Sequence, residues 1–170
     1  MTREKDLQAL QSAFETFTAC MSTLPIPVFL RPVTQWAPRD VVAHLIGWNR
    51  YTRTGCEQIR QGMIPFYFAD AADDFRHVNA TSVQTYASQE KPALIEELTA
   101  SFQELRRFLS SIPPEAWKAD YGVRYQGGPV TIANTVGALS SDYLEHTKDL
   151  ERWMRSGNAG TTSPAPLPEP

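Results

Sequence analysis

A chain of 170 residues with 42% hydrophobic and 21% charged content has the length and composition of one ordinary globular domain that can bury its own core. Its formal net charge of −3 and pI near 5.6 offer no basic face, which argues against a nucleic-acid or anionic-membrane partner. No apolar run approaches the roughly 20 residues that span a bilayer, no signal core follows Met1–Asp6, and Cys20 and Cys56 form no CxxC pair, so a cytoplasmic protein with free thiols is expected.

Four segments carry helical periodicity. After a candidate N-cap at Thr2, Leu7, Leu10, Phe14, Phe17 and Met21 recur at steps of three and four, which draws one apolar stripe down a helix. Pro25 and Pro27 stop it. The second helix starts at Trp36-Ala37-Pro38-Arg39-Asp40, where proline needs no N–H partner and Asp40 faces the positive end of the dipole. It runs through Val41, Val42, Leu45, Ile46 and Trp48 to Ile59 and ends near Gly62. From Met63 to about Asp74 the chain is aromatic but without period, as expected of a loop packed over something.

The third helical region divides into Val78–Ala87 and a stronger piece with Pro92 in its first turn. Leu94, Leu98, Phe102, Leu105 and Leu109 mark the buried face of that piece, and Pro113-Pro114 ends it. A connection containing Trp117, Tyr121 and Tyr125 closes on Gly127-Gly128-Pro129. The fourth helix is capped by Thr131, and its seam reads Ile132, Val136, Leu139, Tyr143, His146, Leu150 and Trp153 as far as Gly157. No strand shows period-two alternation. These features predict an all-α four-helix bundle over residues 1–156 as a single domain, with 157–170, rich in Gly, Thr and Pro, as a disordered tail.

Two histidines lie inside helices. His44 sits one turn before Trp48, and His146 occupies a seam position where Leu or Ile would be ordinary. A titratable group on a buried seam must find a partner, because leaving it unpaired costs about 1–3 kcal/mol. Asp142 at i−4 and Asp149 at i+3 are both within reach on a helix. Two histidines from facing helices plus a carboxylate recur as a metal centre in bundle cores. A buried histidine bonded to an aspartate or tyrosine for purely structural reasons satisfies the same pattern.

Tyr67, Tyr86, Tyr125 and Tyr143 can donate hydroxyls into a site, although aromatic residues in a small bundle usually form core. His77 reads as a surface residue, and Asp73-Asp74 as helix-start charge. Neither cysteine has a basic neighbour that would make it a nucleophile. Nucleotide-loop, HExxH, GxSxG and zinc-knuckle spacings are missing.

The string Trp36-Ala37-Pro38-Arg39-Asp40-Val41-Val42-Ala43-His44-Leu45-Ile46-Gly47-Trp48 resembles the second-helix signature of the DinB/YfiT-like bundles. These include the N-terminal domain of mycothiol-dependent maleylpyruvate isomerase and the ClbS/DfsB group. Leu45-Ile46-Gly47-Trp48 with Val78-Asn79 is most similar to the ClbS/DfsB group. The resemblance covers roughly residues 5–156 and implies an up-down-down-up bundle that is often a homodimer.

It further implies a divalent metal, Zn²⁺ or Ni²⁺, held by His44 from the second helix and by Asp142 and His146 from the fourth. Asp142 is the earlier fourth-helix ligand if His146 is the later one. If His146 is instead the earlier, Leu150 stands where a histidine is expected. ClbS/DfsB members often lack the full triad, which implies a metal-free site with His44, His146 and a nearby tyrosine such as Tyr143 as catalytic groups. An enzyme acting on a small electrophilic or thiol-linked molecule is therefore expected. The rival is a dimeric binding or stress-response protein whose polar core residues only specify packing.

Overall fold

The computed structural model of the chain describes residues 2–33 and 36–156, apart from the side chains of residues 70–73. The expected helix stop at Gly157 and the tail 157–170 lie outside the described residues. Helix α1 (Arg3–Thr23) begins at Thr2, whose Oγ1 accepts from the Lys5 N–H at 3.4 Å. Leu10, Phe14, Phe17 and Met21 are buried as their spacing requires. Leu7 is only half-buried. Asp6 takes the inward place instead, because the Trp117 indole N–H donates to its carboxylate at 2.9 Å and satisfies it there.

The prolines that stop α1 also start a further turn absent from the sequence reading. Pro25 precedes the short helix α2 (Ile26–Phe29), Pro27 lies in its first turn, and Phe29 is buried. Helix α3 (Pro38–Arg60) opens as expected, with the Ala37 N–H donating to Asp40 at 3.1 Å. The stretch read as a loop contains a 3-10 helix over Phe66–Asp73, followed by α4 (Arg76–Thr85) and α5 (Lys91–Ser111).

The connection after α5 holds a two-residue ladder, β1 (Arg124–Tyr125) against β2 (Gly128–Pro129), turned by Gln126 and Gly127 at φ +49° and +79°. Two residues per strand are too few for alternation to show, which is why periodicity missed it. Helix α6 (Ile132–Arg155) follows, and Thr131 Oγ1 accepts from the Asn134 N–H at 3.2 Å.

In the main helix contacts α1 packs on α6, α6 on α3, α3 on α5, and α5 returns to α1. The consecutive long helices α1 and α3 therefore lie across the bundle from each other, the up-down-down-up arrangement. Helix α4 and the 3-10 helix lie against the outside of α3. Two glycines admit them: a Cβ at Gly47 would collide with the Ser82 hydroxyl, and one at Gly55 would stand 2.5 Å from the Tyr67 hydroxyl.

The core centre is aromatic, with Phe14 and Phe102 stacked at 3.8 Å and Tyr143 edge-on to Phe14, Phe17 and Phe102. One polar chain crosses it. Tyr143 donates to Asn49 Oδ1 at 2.9 Å, Asn49 Nδ2 donates to Ser101 Oγ at 3.0 Å, and Ser101 donates to the Leu98 carbonyl at 3.0 Å.

Both cysteines are free thiols. Burial, reinforced by the neighbouring Glu57 charge, pushes the Cys56 thiol up to about 12. Cys56 is therefore expected to stay unmodified by a thiol reagent such as DTNB in the native protein and to react only after unfolding. Rapid native labelling, mapped by mass spectrometry to Cys56, would contradict this burial.

Candidate functional site

Helix α3 carries His44 inward because Val42, Ala43, Leu45 and Ile46 around it are all buried. Helix α6 brings Asp142 and His146 to the same place, one turn apart. Asp142 bridges the two imidazoles: its Oδ2 lies 3.0 Å from His44 Nε2 and its Oδ1 lies 3.3 Å from His146 Nε2. The two rings are 5.2 Å apart between centroids, well inside the separation that permits a shared ligand. Trp36 covers them, at 5.0 Å from the His44 ring and 6.4 Å from the His146 ring.

Burial alone would raise the Asp142 carboxyl, but hydrogen bonds from His146 and His44, and their charge, outweigh burial and hold it well below the usual carboxylate range. The sign of the pH effect follows. A folded value below the unfolded one, near 4, stabilises the native state at higher pH, and that stabilisation is lost as pH falls below about 4. Asp142→Asn is thus expected to flatten the acid limb of the melting-temperature profile between pH 5 and 2, as read by circular dichroism. An acid limb as steep as that of the wild type would show that the carboxylate contributes nothing there.

His44 and Asp142 form part of the wall of a cavity of about 600 Å³. Its other walls include Trp48 of α3, Tyr67, Phe68 and Phe75, Tyr125 of β1, and Ala138 and Glu145 of α6. His146 opens on the other side, onto a cavity of about 180 Å³ shared with Trp36, Val41 and Asp149. The bridged cluster therefore stands between two cavities. Trp48 is oriented by its indole N–H, which donates to Asn79 Oδ1 at 2.9 Å. Asp74 and Phe75 are consecutive non-glycine residues at φ +54° and +59°, a strained conformation that sets the Phe75 ring into the wall.

The other sequence candidates separate. Asp149 does not reach the pair; it accepts from Arg152 at 3.0 Å. Leu150 is core. Tyr143 is not brought to the cavity: its ring is needed in the aromatic core, and its hydroxyl is taken by Asn49. The Tyr86 hydroxyl instead accepts from the Arg50 guanidinium. Tyr67 and Tyr125 do line the cavity. His77 is exposed, as read; the Asp73 side chain lies outside the described residues. Periodicity missed Trp36, Phe68 and Phe75 as site residues. Their one signal was aromatic content in segments without a helical repeat.

His44, Asp142 and His146 are also the one group of three such side chains among the described residues whose donor atoms all lie within 4.8 Å of one another. Two imidazoles and a carboxylate suit a borderline divalent ion, and bonds near 2 Å reach a common centre from these positions with small side-chain movement. One feature weakens the fit. His44 Nδ1 is buried with no partner among the described residues. A ligating Nε2 places the imidazole proton on Nδ1, and an unpartnered outer N–H typically lowers metal affinity by about 10–100-fold.

The family model for the mycothiol maleylpyruvate isomerase N-terminal domain matches residues 12–151. The chain belongs to that family. Among solved structures it is similar to the colibactin self-resistance protein ClbS in complex with a dsDNA, at 16% identity and TM-score 0.72 over 91% of this chain and 96% of that one. It is similar to DfsB, a sibling lethal factor precursor, at 10% identity and TM-score 0.74 over 92% and 97%. The mycothiol-dependent maleylpyruvate isomerase aligns at 16% identity and TM-score 0.72 over 88% of this chain, which spans 61% of that protein. No curated protein matches the sequence significantly.

These neighbours share the DinB-like fold. They also correct the expectation of no nucleic-acid partner, since ClbS carries the same fold and was solved with duplex DNA bound. The physical reason is that a net charge of −3 averages the whole surface and does not exclude a local contact. Among the described residues no helix is long and apolar enough to cross a membrane.

Proposed function

We propose that the protein is an enzyme acting on a small electrophilic or thiol-linked molecule, with Zn²⁺ or Ni²⁺ held by His44, Asp142 and His146. The observation that supports this reading is the convergence of those three donors, two of which, His44 and Asp142, line the 600 Å³ cavity. Such an ion, with positions left open, lowers the pKa of a bound water or thiol and makes a nucleophile available near neutral pH.

The chain's own residues supply the rest. Before an ion binds, Asp142 holds both imidazoles by their Nε2 atoms and so keeps the three donors gathered, and Trp36 packs over the two rings. Five aromatic rings line the cavity, and an apolar lining strengthens a polar interaction made against it. Burial pushes the Tyr67 phenol up, so it stays neutral and serves only as a hydrogen-bond group at the cavity wall.

A metal-free reading draws support from the same Asp142 bridge. With Nε2–H given to the carboxylate, the free Nδ1 is the basic nitrogen; that of His44 is buried, so the part-exposed His146 acts as general base on a water attacking a reactive electrophile. Elemental analysis of protein purified without chelator separates the two. About one equivalent of zinc or nickel per chain supports the first reading. Metal-free protein that still consumes a model electrophile, such as an epoxide or an activated cyclopropane, supports the second. Protein with neither property removes both and leaves a binding or stress-response role.

A further inference from the structure

The charge and shape of the 600 Å³ cavity say more about its ligand than the His44–Asp142–His146 cluster does. Five aromatic side chains wall it. Phe68 and Tyr125 stack at 4.1 Å with an 18° tilt, and the Trp48 ring meets Tyr67 and Phe75 edge-to-face at 5.2 and 5.4 Å. They come from α3, the 3-10 helix, the start of α4 and the β1–β2 ladder, so the aromatic surface surrounds the space instead of forming one flat face. The consecutive left-handed residues Asp74 and Phe75 hold one of these rings in place against an unfavourable backbone conformation.

The ionisable groups of the lining, beyond His44 and the tyrosine phenols, are acidic: Asp142, and Glu145 nearly one turn later on α6. No lysine or arginine belongs to it. The basic residue beside Tyr125, Arg124, is occupied by Asp120 through two hydrogen bonds of 2.7 Å. A carboxylate ligand entering this space would lose its water without meeting a guanidinium or ammonium, an expensive exchange. Aromatic faces and carboxylates together suit the opposite: an apolar ring, and a cation if there is a charge at all. Among the side chains of this lining a dicarboxylate finds no lysine or arginine to pair with its two charges.

We propose that this cavity takes a ring-bearing organic molecule with no negative charge, an amine being its preferred polar group. The proposal rests on the reading of this cavity as the substrate chamber and names the class of molecule that enters it. A volume near 600 Å³ accommodates a drug-sized ligand.

The test uses the full chain after dialysis against a chelator, so that a bound cation does not alter the charge at the His44 end. Three probes of one shape are titrated by calorimetry and by quenching of tryptophan fluorescence: 2-naphthylmethylamine, 2-naphthylmethanol and 2-naphthoate. The amine should bind tightest, and the naphthoate about tenfold or more weaker than the alcohol, because its buried charge finds no partner. Glu145→Gln should weaken the amine by about threefold, as expected for a partly exposed ion pair, and leave the alcohol unchanged.

Ala138→Phe, at an exposed position on the cavity wall, should fill the space and abolish binding of amine and alcohol without changing the melting temperature. Naphthoate binding as tight as that of the alcohol overturns the proposal. So does the absence of amine and alcohol binding, or binding that Ala138→Phe leaves intact in a folded protein. Metal content and turnover are measured separately, so failure of the catalytic reading does not imitate any of these results.

Discussion

Alanine at position 44 is expected to abolish the thermal stabilisation that zinc or nickel confers on the native protein. In the proposed centre His44 would be one of three protein ligands, and structural zinc sites with four ligands bind with about 10–16 kcal/mol, so one ligand accounts for about 3 kcal/mol, or a hundredfold in affinity. At a metal concentration a hundred times the dissociation constant, wild-type protein gains about 2.7 kcal/mol. For a chain of this size that raises the melting temperature by about 5–10 °C. His44→Ala should show no such rise at the same concentration.

His146→Leu provides the companion measurement. Leucine suits the apolar seam of α6, between Tyr143 and Leu150, better than an imidazole does. It should match or exceed the metal-free stability of the wild type while also losing the metal response. If His146 serves packing alone, the same change should lower stability by about 1–3 kcal/mol, because Asp142 loses one of its two partners. A metal-induced shift retained in both variants would remove His44 and His146 from any metal centre.

Asn49→Leu should lower stability by about 2–4 kcal/mol, a fall of roughly 5–15 °C in melting temperature. Asn49 is fully buried and joins three helices, accepting from Tyr143 of α6 and donating to Ser101 of α5. Leucine fills a similar volume but leaves the Tyr143 hydroxyl buried without an acceptor. Ser101 loses less, since it still donates to the Leu98 carbonyl.

The diagnostic is the double variant. Adding Tyr143→Phe to Asn49→Leu deletes the orphaned hydroxyl, so the pair should be more stable than Asn49→Leu alone, and the two changes should be non-additive. Simple additivity in thermal or urea unfolding would mean that the polar chain contributes no coupling. The same experiment bears on Tyr143 as a catalytic group. If Tyr143→Phe preserves activity, the phenol belongs to the core, where its bond to Asn49 places it.

Local pattern determined most of the architecture. Proline at the start of α3, Thr2 and Thr131 as caps, and apolar steps of three and four along α1, α5 and α6 place the long helices, because these signals act within a turn or two of chain. The same pattern singled out His44 and His146, each polar where apolar residues should stand. The ladder at 124–129, the α2 turn and the inward Asp6 escaped it. Each depends on a partner distant in sequence or on a segment too short to carry a period; Asp6 and Trp117 are 111 residues apart.

Tertiary packing alone decided which carboxylate meets both imidazoles. Asp142 and Asp149 are both within helical reach of His146, but only Asp142 also faces α3, where His44 waits 98 residues away in sequence. It also decided the cavity. Trp48, Phe68, Phe75 and Tyr125 have no common period, and they converge because Gly47 and Gly55 let α4 and the 3-10 helix lie against α3. A periodic signal reports which face of one helix is buried; the composition of a space between elements is set by how those elements cross, which no single segment encodes.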